Sequence, residues 1–276
     1  MLPRKIDDFE GEWRLSGEQI NFKYCPACGN QNFKVYVSQE TGAWICFRCD
    51  ARGCVETGVD LTAIRRRLMT RYKFEVETWK PIESWPGRAL EYSDFGEPMC
   101  MASQFLSLKY GIDGGLAHIY GLLRDENRVV IPYTDRFGDV IYYSGRAFDG
   151  AQPKYKHMEG KHPLYVPDWV TAHAPHATFN DVVLVEGVFD AIKAHAATGL
   201  HVVALGGKSM ARYLLHNILA LQPRNIKIAL DSDATAAAIK LRNILVPFVD
   251  TIQIIRLPDG QDPGNMELEE LREELL

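Results

Sequence analysis

With 276 residues, 46% of them hydrophobic, the chain can bury a substantial core in two or three compact units, so disorder is not the default. Its apolar runs fall short of the roughly 20 residues a membrane span needs, and Met1 to Glu12 has no signal-peptide hydrophobic block, so a cytoplasmic protein is expected. The net charge of -5, concentrated in residues 181 to 276, argues against coating nucleic acid by charge alone, and six cysteines without an export signal point to metal ligation rather than disulfides.

From the N-terminus, Tyr24 to Cys54 is rich in Gly, Cys and aromatic residues around two alternating runs, Phe33 to Ser38 and Ala43 to Ile45, which predict a hairpin. Asp60 can cap a basic amphipathic helix through Leu61, Ile64, Leu68 and Met69, with Arg65, Arg66, Arg67 and Arg71 on its polar face. Trp79 to Pro98 holds three prolines and two tryptophans and reads as an irregular linker. A helix is expected over 99–110, then two strands, 128–132 and 139–146, joined at Asp135 to Gly138. After a Pro- and His-rich connection the pattern becomes βα alternation. Strands at 182–185, 201–205, 225–230 and 250–255 and helices at about 189–198, 209–221 and 234–246 predict a parallel sheet with crossovers. The predicted organisation is a small zinc ribbon at 1–58, a basic helix and linker at 59–98, a mixed α+β basic subdomain at 99–178 and an α/β domain at 179–276.

Two chemistries emerge. Cys25-Pro-Ala-Cys28 and Cys46-Phe-Arg-Cys49, separated by seventeen residues, match a four-thiolate zinc site. Four sulfurs leave no open coordination position, so this zinc is structural and function falls to the surface. There Lys23, Tyr24, Lys34, Tyr36, Trp44, Phe47, Arg48 and Arg52 offer aromatic faces beside cations, although each aromatic is as readily a part of the ribbon's own core. Cys54 and Cys100 read as ordinary buried thiols. The second chemistry is acidic. Glu186 and Asp190 follow the first parallel strand, Asp231 and Asp233 follow the third on one side of an extended segment, and Asp259 and Asp262 follow the fourth. Any one alone reads as a helix cap. Together, carboxylates from three strand ends suit one or two Mg²⁺ or Mn²⁺ ions.

Leu184 to Asp190, Asp231-Ser232-Asp233 and Leu257 to Pro263 resemble, in order and spacing, the Toprim domain of DnaG-type primases, in the style of the primase half of phage helicase-primases. Ile131-Pro132-Tyr133, Gly145-Arg146 and Pro153-Lys154-Tyr155 resemble the basic part of the same polymerase core. The resemblance implies a DNA-directed RNA polymerase that makes short primers from ribonucleoside triphosphates on single-stranded DNA. It implies Glu186, Asp231 and Asp233 in catalysis, with Glu186, Asp190, Asp231, Asp233 and Asp262 holding the divalent metal. Arg146, Lys154 and Lys156, with Trp44 and Arg48 on the ribbon, would contact nucleotide or nucleic acid. The chain departs from the family at Gly264, where a further acid is frequent, at Cys28, where bacterial members usually have His, and at Ser232.

Other readings weigh less. A recombination mediator of the RecR kind lacks the strands carrying Arg146 and Lys154, and a Toprim nuclease would shorten DNA instead of making RNA. Gly206-Gly207-Lys208-Ser209 is no P-loop, because Val202 stands where the first glycine belongs, so a separate replicative helicase is expected as partner. His157, His162, His173 and His176 read as a solvated connection, and Met266 to Leu276 as a short packing helix.

Overall fold

The computed structural model describes residues 3, 8–17, 19–38, 42–55, 77–95, 100–171, 179–207, 212–246 and 248–276. The basic helix expected after Asp60 lies outside the described residues, as do His173, His176, Lys208 and Ser209. The chain divides into two compact units, Met1–Lys73 with Lys240–Asp250, and Phe74–Ile239 with Thr251–Leu276.

The first unit carries an antiparallel sheet of β1 (Trp13–Ser16), β2 (Gln19–Phe22), β3 (Val35–Ser38), β4 (Ala43–Cys46) and β5 (Arg52–Cys54), ordered as in the sequence. The predicted hairpin is β3 and β4, with Val35 opposite Cys46 and Tyr36 opposite Ile45. β1 and β2, each four residues long, turn at Gly17 and add to the expected hairpin. Alternation sends Ile20, Phe22, Val35, Val37 and Trp44 into a small core with Phe9 and Val55. Asn21 is fully buried and satisfied: its Nδ2 donates to the carbonyls of Phe33 and Val35, both at 2.9 Å, and its Oδ1 accepts from Arg14 Nε at 2.8 Å.

In the second unit, an antiparallel sheet runs in the order β10 (Tyr155–His157), β9 (Val140–Ala147), β8 (Arg128–Thr134), β7 (Leu123–Asp125) and β6 (Arg88–Ala89). The β8–β9 turn closes as expected at Asp135, whose Oδ1 accepts the N–H groups of Phe137 and Asp139. Part of the predicted irregular linker is docked instead: β6 pairs with β7, Leu90 is buried, and Arg88 grips the Asp94 carboxylate with both terminal nitrogens. Two paired residues are too few to leave a periodicity in the sequence. The helix Met101–Tyr110 ends in an αL cap at Gly111, whose N–H donates to the Ser107 carbonyl, while the Ile112 N–H reaches back to that of Leu106.

The same unit holds a parallel sheet of β11 (Asp181–Val185), β12 (His201–Ala204), β13 (Asn225–Ile228) and β14 (Thr251–Ile254), in the spatial order β12-β11-β13-β14. Asp-Val-Val-Leu-Val makes a strand buried on both faces, as a central parallel strand must be. The helices Val188–Thr198, Arg212–Ala220 and Thr235–Leu245 are the crossovers. The first of these helices packs on Leu268–Leu275, so Val183, Val185, Phe189, Ile192, Leu271 and Leu275 share one apolar core with Val129 and Ile131 of the antiparallel sheet. Among the described residues no helix is long and apolar enough to cross a membrane.

Candidate functional sites

In the ribbon, the ligand atoms of Cys25, Cys28, Cys46 and Cys49 lie within 4.8 Å of one another. The two knuckles are built alike. The Cys25 N–H donates to the Asn30 carbonyl while its own carbonyl accepts from Gly29; the Cys46 N–H donates to Ala51 while its carbonyl accepts from Asp50. Gly29 and Asp50 occupy the same place in the two turns, at φ 67° and 54°, the left-handed region that Gly and, less readily, Asp adopt. Burial pushes the Cys25 thiol up to about 12. At Cys46 burial is outweighed by the backbone N–H groups of Arg48 and Cys49 and by neighbouring thiols, which bring it to about 7. Four sulfurs this close are disposed to bind one soft cation.

The ribbon surface differs from expectation at one residue. Trp44 is 3% exposed and meets Phe9 edge to face, so its ring fills the core and cannot stack on a base. Phe47, at 63% exposure, takes the surface position, edge to face with Tyr36, next to the exposed Arg48 and with its N–H on the Lys34 carbonyl. The side chain of Cys54 lies outside the described residues, and Cys100 is buried within reach of Arg124.

In the larger unit, β11 has β12 on one side and β13 on the other, so the strand order reverses direction beside β11. The crevice at the carboxyl ends of such strands is where open α/β sheets bind ligands. Glu186 follows β11, and Asp231 follows β13 by three residues. Asp190 starts the helix Val188–Thr198, with its Oδ2 accepting the Gly187 N–H at 2.7 Å. Asp262 comes from the loop after β14. All four carboxylates line one cavity of about 360 Å³, together with Lys109, Tyr110, Tyr133, Lys154, Tyr155 and His157. Glu186 Oε2 and Asp231 Oδ1 are sealed from solvent.

The charges oppose one another across this cavity. Burial above all, then Asp262, Asp231 and Glu186, push the Asp190 carboxyl up to about 7 against the pull of the Gly187 N–H. On the other wall, burial together with the like charges of Arg146 and Lys154 holds the Lys109 ammonium below its usual value. The Arg146 guanidinium is only 6% exposed and lies 5.0 Å from the Tyr155 ring centre and 5.6 Å from that of Phe105. Tyr110 stacks on Phe189 with ring centres 4.3 Å apart, which ties the cationic wall to the acidic rim. Gly264 is drawn close: an added Cβ would stand 2.6 Å from Asp190 Oδ1 and 3.1 Å from Asp262 Oδ1.

The structure therefore brings together Glu186, Asp190, Asp231, Asp262 and Lys154, with Arg146 behind them. Asp233 is exposed and off the cavity lining. The extended segment expected at Asp231 to Asp233 is a 3₁₀ turn over Ser232–Ala234, closed by the Ala234 N–H on the Asp231 carbonyl, so alternation does not place both acids on one side. Asp259 lines a separate small groove that also touches Asp231. Lys156 alternates with Tyr155 and His157 along β10 and projects from the opposite face. Lys109 and Tyr110 were not foreseen. The sequence signal available was the Gly111 helix stop, which leaves the last helical residues at an element end.

The donor set fits a hard divalent cation. It is all oxygen and faces one cavity, with Glu186 Oε2 and Asp231 Oδ1 buried at its edge.

No family model matches the chain. It is 30% identical over 158 residues to the DNA primase of Rickettsia bellii (strain RML369-C), covering 53% of this chain and 26% of that one. It is 30% identical over 174 residues to the DNA primase of Staphylococcus aureus (strain COL), covering 56% and 28%. The chain thus spans about a quarter of the length of these curated relatives. Among solved structures, the zinc-binding and RNA polymerase domains of the Aquifex aeolicus primase superpose with a TM-score of 0.51 at 20% identity, over 98% of this chain and 81% of that one. The RNA polymerase domain of Mycobacterium tuberculosis primase DnaG gives 0.53 at 16% identity, over 78% and 82%. A DnaG primase catalytic domain bound to ssDNA gives 0.50 at 19% identity, over 78% and 77%.

Proposed function

From the premise that this chain is a homologue of DnaG-type primases and shares their core fold, we propose that it synthesises short RNA primers on single-stranded DNA from ribonucleoside triphosphates. The observation that carries this reading is the cavity in which Glu186, Asp190, Asp231 and Asp262 face Lys109 and Lys154, with the buried Arg146 close enough to depress Lys109. Primer extension needs a 3′-hydroxyl to attack an α-phosphate while pyrophosphate leaves, a reaction governed by positioning and charge neutralisation. Glu186, Asp190, Asp231 and Asp262, with Asp233 at the edge, would hold Mg²⁺ or Mn²⁺. Bound there, such a cation would supply neutralisation of the negative charge that builds up during phosphoryl transfer.

Lys109, Lys154 and Arg146 bind the triphosphate from the opposite side. Arg146 is held for this by the Tyr155 and Phe105 rings, and its burial strengthens its attraction for phosphate. Lys156, on the outer face of β10, is placed for the nucleic-acid backbone. In the ribbon, Cys25, Cys28, Cys46 and Cys49 hold one structural zinc, and Phe47 with Tyr36 and Arg48 stacks on template bases. The duplex is opened by a replicative helicase.

The test is incubation with mixed-sequence single-stranded DNA, labelled ribonucleotides and Mg²⁺ or Mn²⁺. Short RNA products are expected, and Glu186→Gln should lower their yield by on the order of 10²-fold or more. Undiminished synthesis by that variant refutes the site, and shortened DNA in place of RNA refutes the reaction.

A further inference from the structure

Two histidines of the Pro- and His-rich connection, His157 and His162, have no part in the chemistry above, although His157 lines the cavity. The structure sets them in a row of rings. His157 lies 6.0 Å from Tyr155 with the planes 22° apart, His162 lies 6.3 Å from His157 at 33°, and Tyr213 meets His162 edge-on at 6.2 Å. Tyr155 is also the ring beneath the Arg146 guanidinium, so the row starts at the cavity and ends on the helix Arg212–Ala220. His157 is exposed, and His162 and Tyr213 are half-buried.

The row is held in place. The Tyr142 hydroxyl donates to the Met158 carbonyl at 3.0 Å and the Trp79 indole N–H to the Lys161 carbonyl at 2.8 Å, which pins the segment between the two histidines at both ends. Gly206, at φ 75°, leaves the space that the His162 ring fills, since a Cβ there would stand 2.7 Å from Cε1. Cations flank the rings. Lys154 stands at the cavity end, and at the other end Lys161, ion-paired with Glu77, lies 5.3 Å from the Tyr213 ring centre. Burial and His162 hold His157 below the usual imidazolium value, so at neutral pH it offers an uncharged ring.

Resting on the primer-synthesis reading above, we propose that His157, His162 and Tyr213 form a platform on which consecutive bases of the single-stranded template stack where it meets the cavity. Rings of this kind hold bases whatever their letter, while neighbouring lysines follow the phosphates. A single base can cover only part of the row, so its length suits a strand and not a mononucleotide.

The experiment is fluorescence anisotropy of the full, zinc-loaded chain with labelled single-stranded DNA and no ribonucleotides, which reads binding apart from turnover. His157→Ala and His162→Ala should each weaken binding about 5-fold, near the low end for one lost base–ring stack. His157→Phe, which keeps a flat ring without the nitrogens, should bind like the wild type. On a strand of abasic sites, which keeps the phosphates but offers no bases, His157→Ala and the wild type should bind alike, an outcome that a purely structural histidine does not produce. If His162→Ala fails to fold, the His157 variants decide. Alanine variants that bind as tightly as the wild type, a His157→Phe as weak as His157→Ala, or a loss that persists on the abasic strand overturns this inference and leaves primer synthesis standing. A wild type that makes no RNA from ribonucleotides overturns both.

Discussion

The ribbon and the larger unit use clustered ligands in opposite ways. In the ribbon the four thiols sit inside backbone turns of matching design, beside a core of only a few apolar side chains. In the larger unit an extensive apolar core forms the fold, and the carboxylates stand at its rim, crowded enough to lift Asp190 to about 7. Closed soft ligands with little apolar support make a metal part of the fold. Crowded oxygen ligands on a rigid support leave it open to substrate.

The strongest way to break this contrast is Cys46→Ser. Structural zinc sites contribute an apparent binding free energy of about 10–16 kcal/mol, so the ribbon should lose its metal and unfold while the thermal transition of the larger unit is unmoved. Zinc release followed colorimetrically and the dispersion of ribbon amide resonances report it; a ribbon still folded with three thiols breaks the contrast. Next in size, Trp44→Ala should cost about 3–5 kcal/mol of ribbon stability in denaturant. Phe47→Ala should cost less than about 0.5 kcal/mol in the same titration. Fluorescence anisotropy with single-stranded DNA should reverse their order, with Phe47→Ala losing about 1–3 kcal/mol of affinity.

Within the larger unit, Asp168 sharpens the difference between structural and functional acids. Burial alone would raise its carboxyl, but His195 and His201 outweigh burial and hold it below the usual carboxylate value, with His201 Nδ1 at 2.7 Å from Oδ1. A depressed folded-state pKa contributes stability above the unfolded value and loses it as pH falls through the folded one. Asp168→Asn should therefore cost about 2 kcal/mol at neutral pH. Urea titrations should show the gap closing below about pH 4, and a gap that is constant with pH would assign the loss to packing. Within the larger unit a smaller effect is expected at Gly264→Ala. Its backbone accepts alanine, but the new methyl presses on Asp190 and Asp262 and should cost about 1 kcal/mol in a thermal melt.

Much of this was legible in advance because it repeats at short range. The CxxC spacing survives folding unchanged, since each knuckle is a local turn. The βα alternation needs only apolar runs of strand length between helical periods, and Glu186 and Asp231 follow strands whose ends any parallel sheet gathers on one edge. Asp233 escaped because a three-residue 3₁₀ turn leaves no periodic trace, and strand alternation was the wrong rule for it.

The sequence by itself determined the ligand types, their order along the chain and the class of sheet that would collect them, because these follow from local turns and from hydrophobic period. Only the tertiary structure decided which face each side chain took: Trp44 inward and Phe47 outward, Lys156 away from the cavity, Lys109 and Tyr110 into it. Those choices depend on contacts between segments far apart in the chain, such as Tyr110 on Phe189, whose energy no local pattern records.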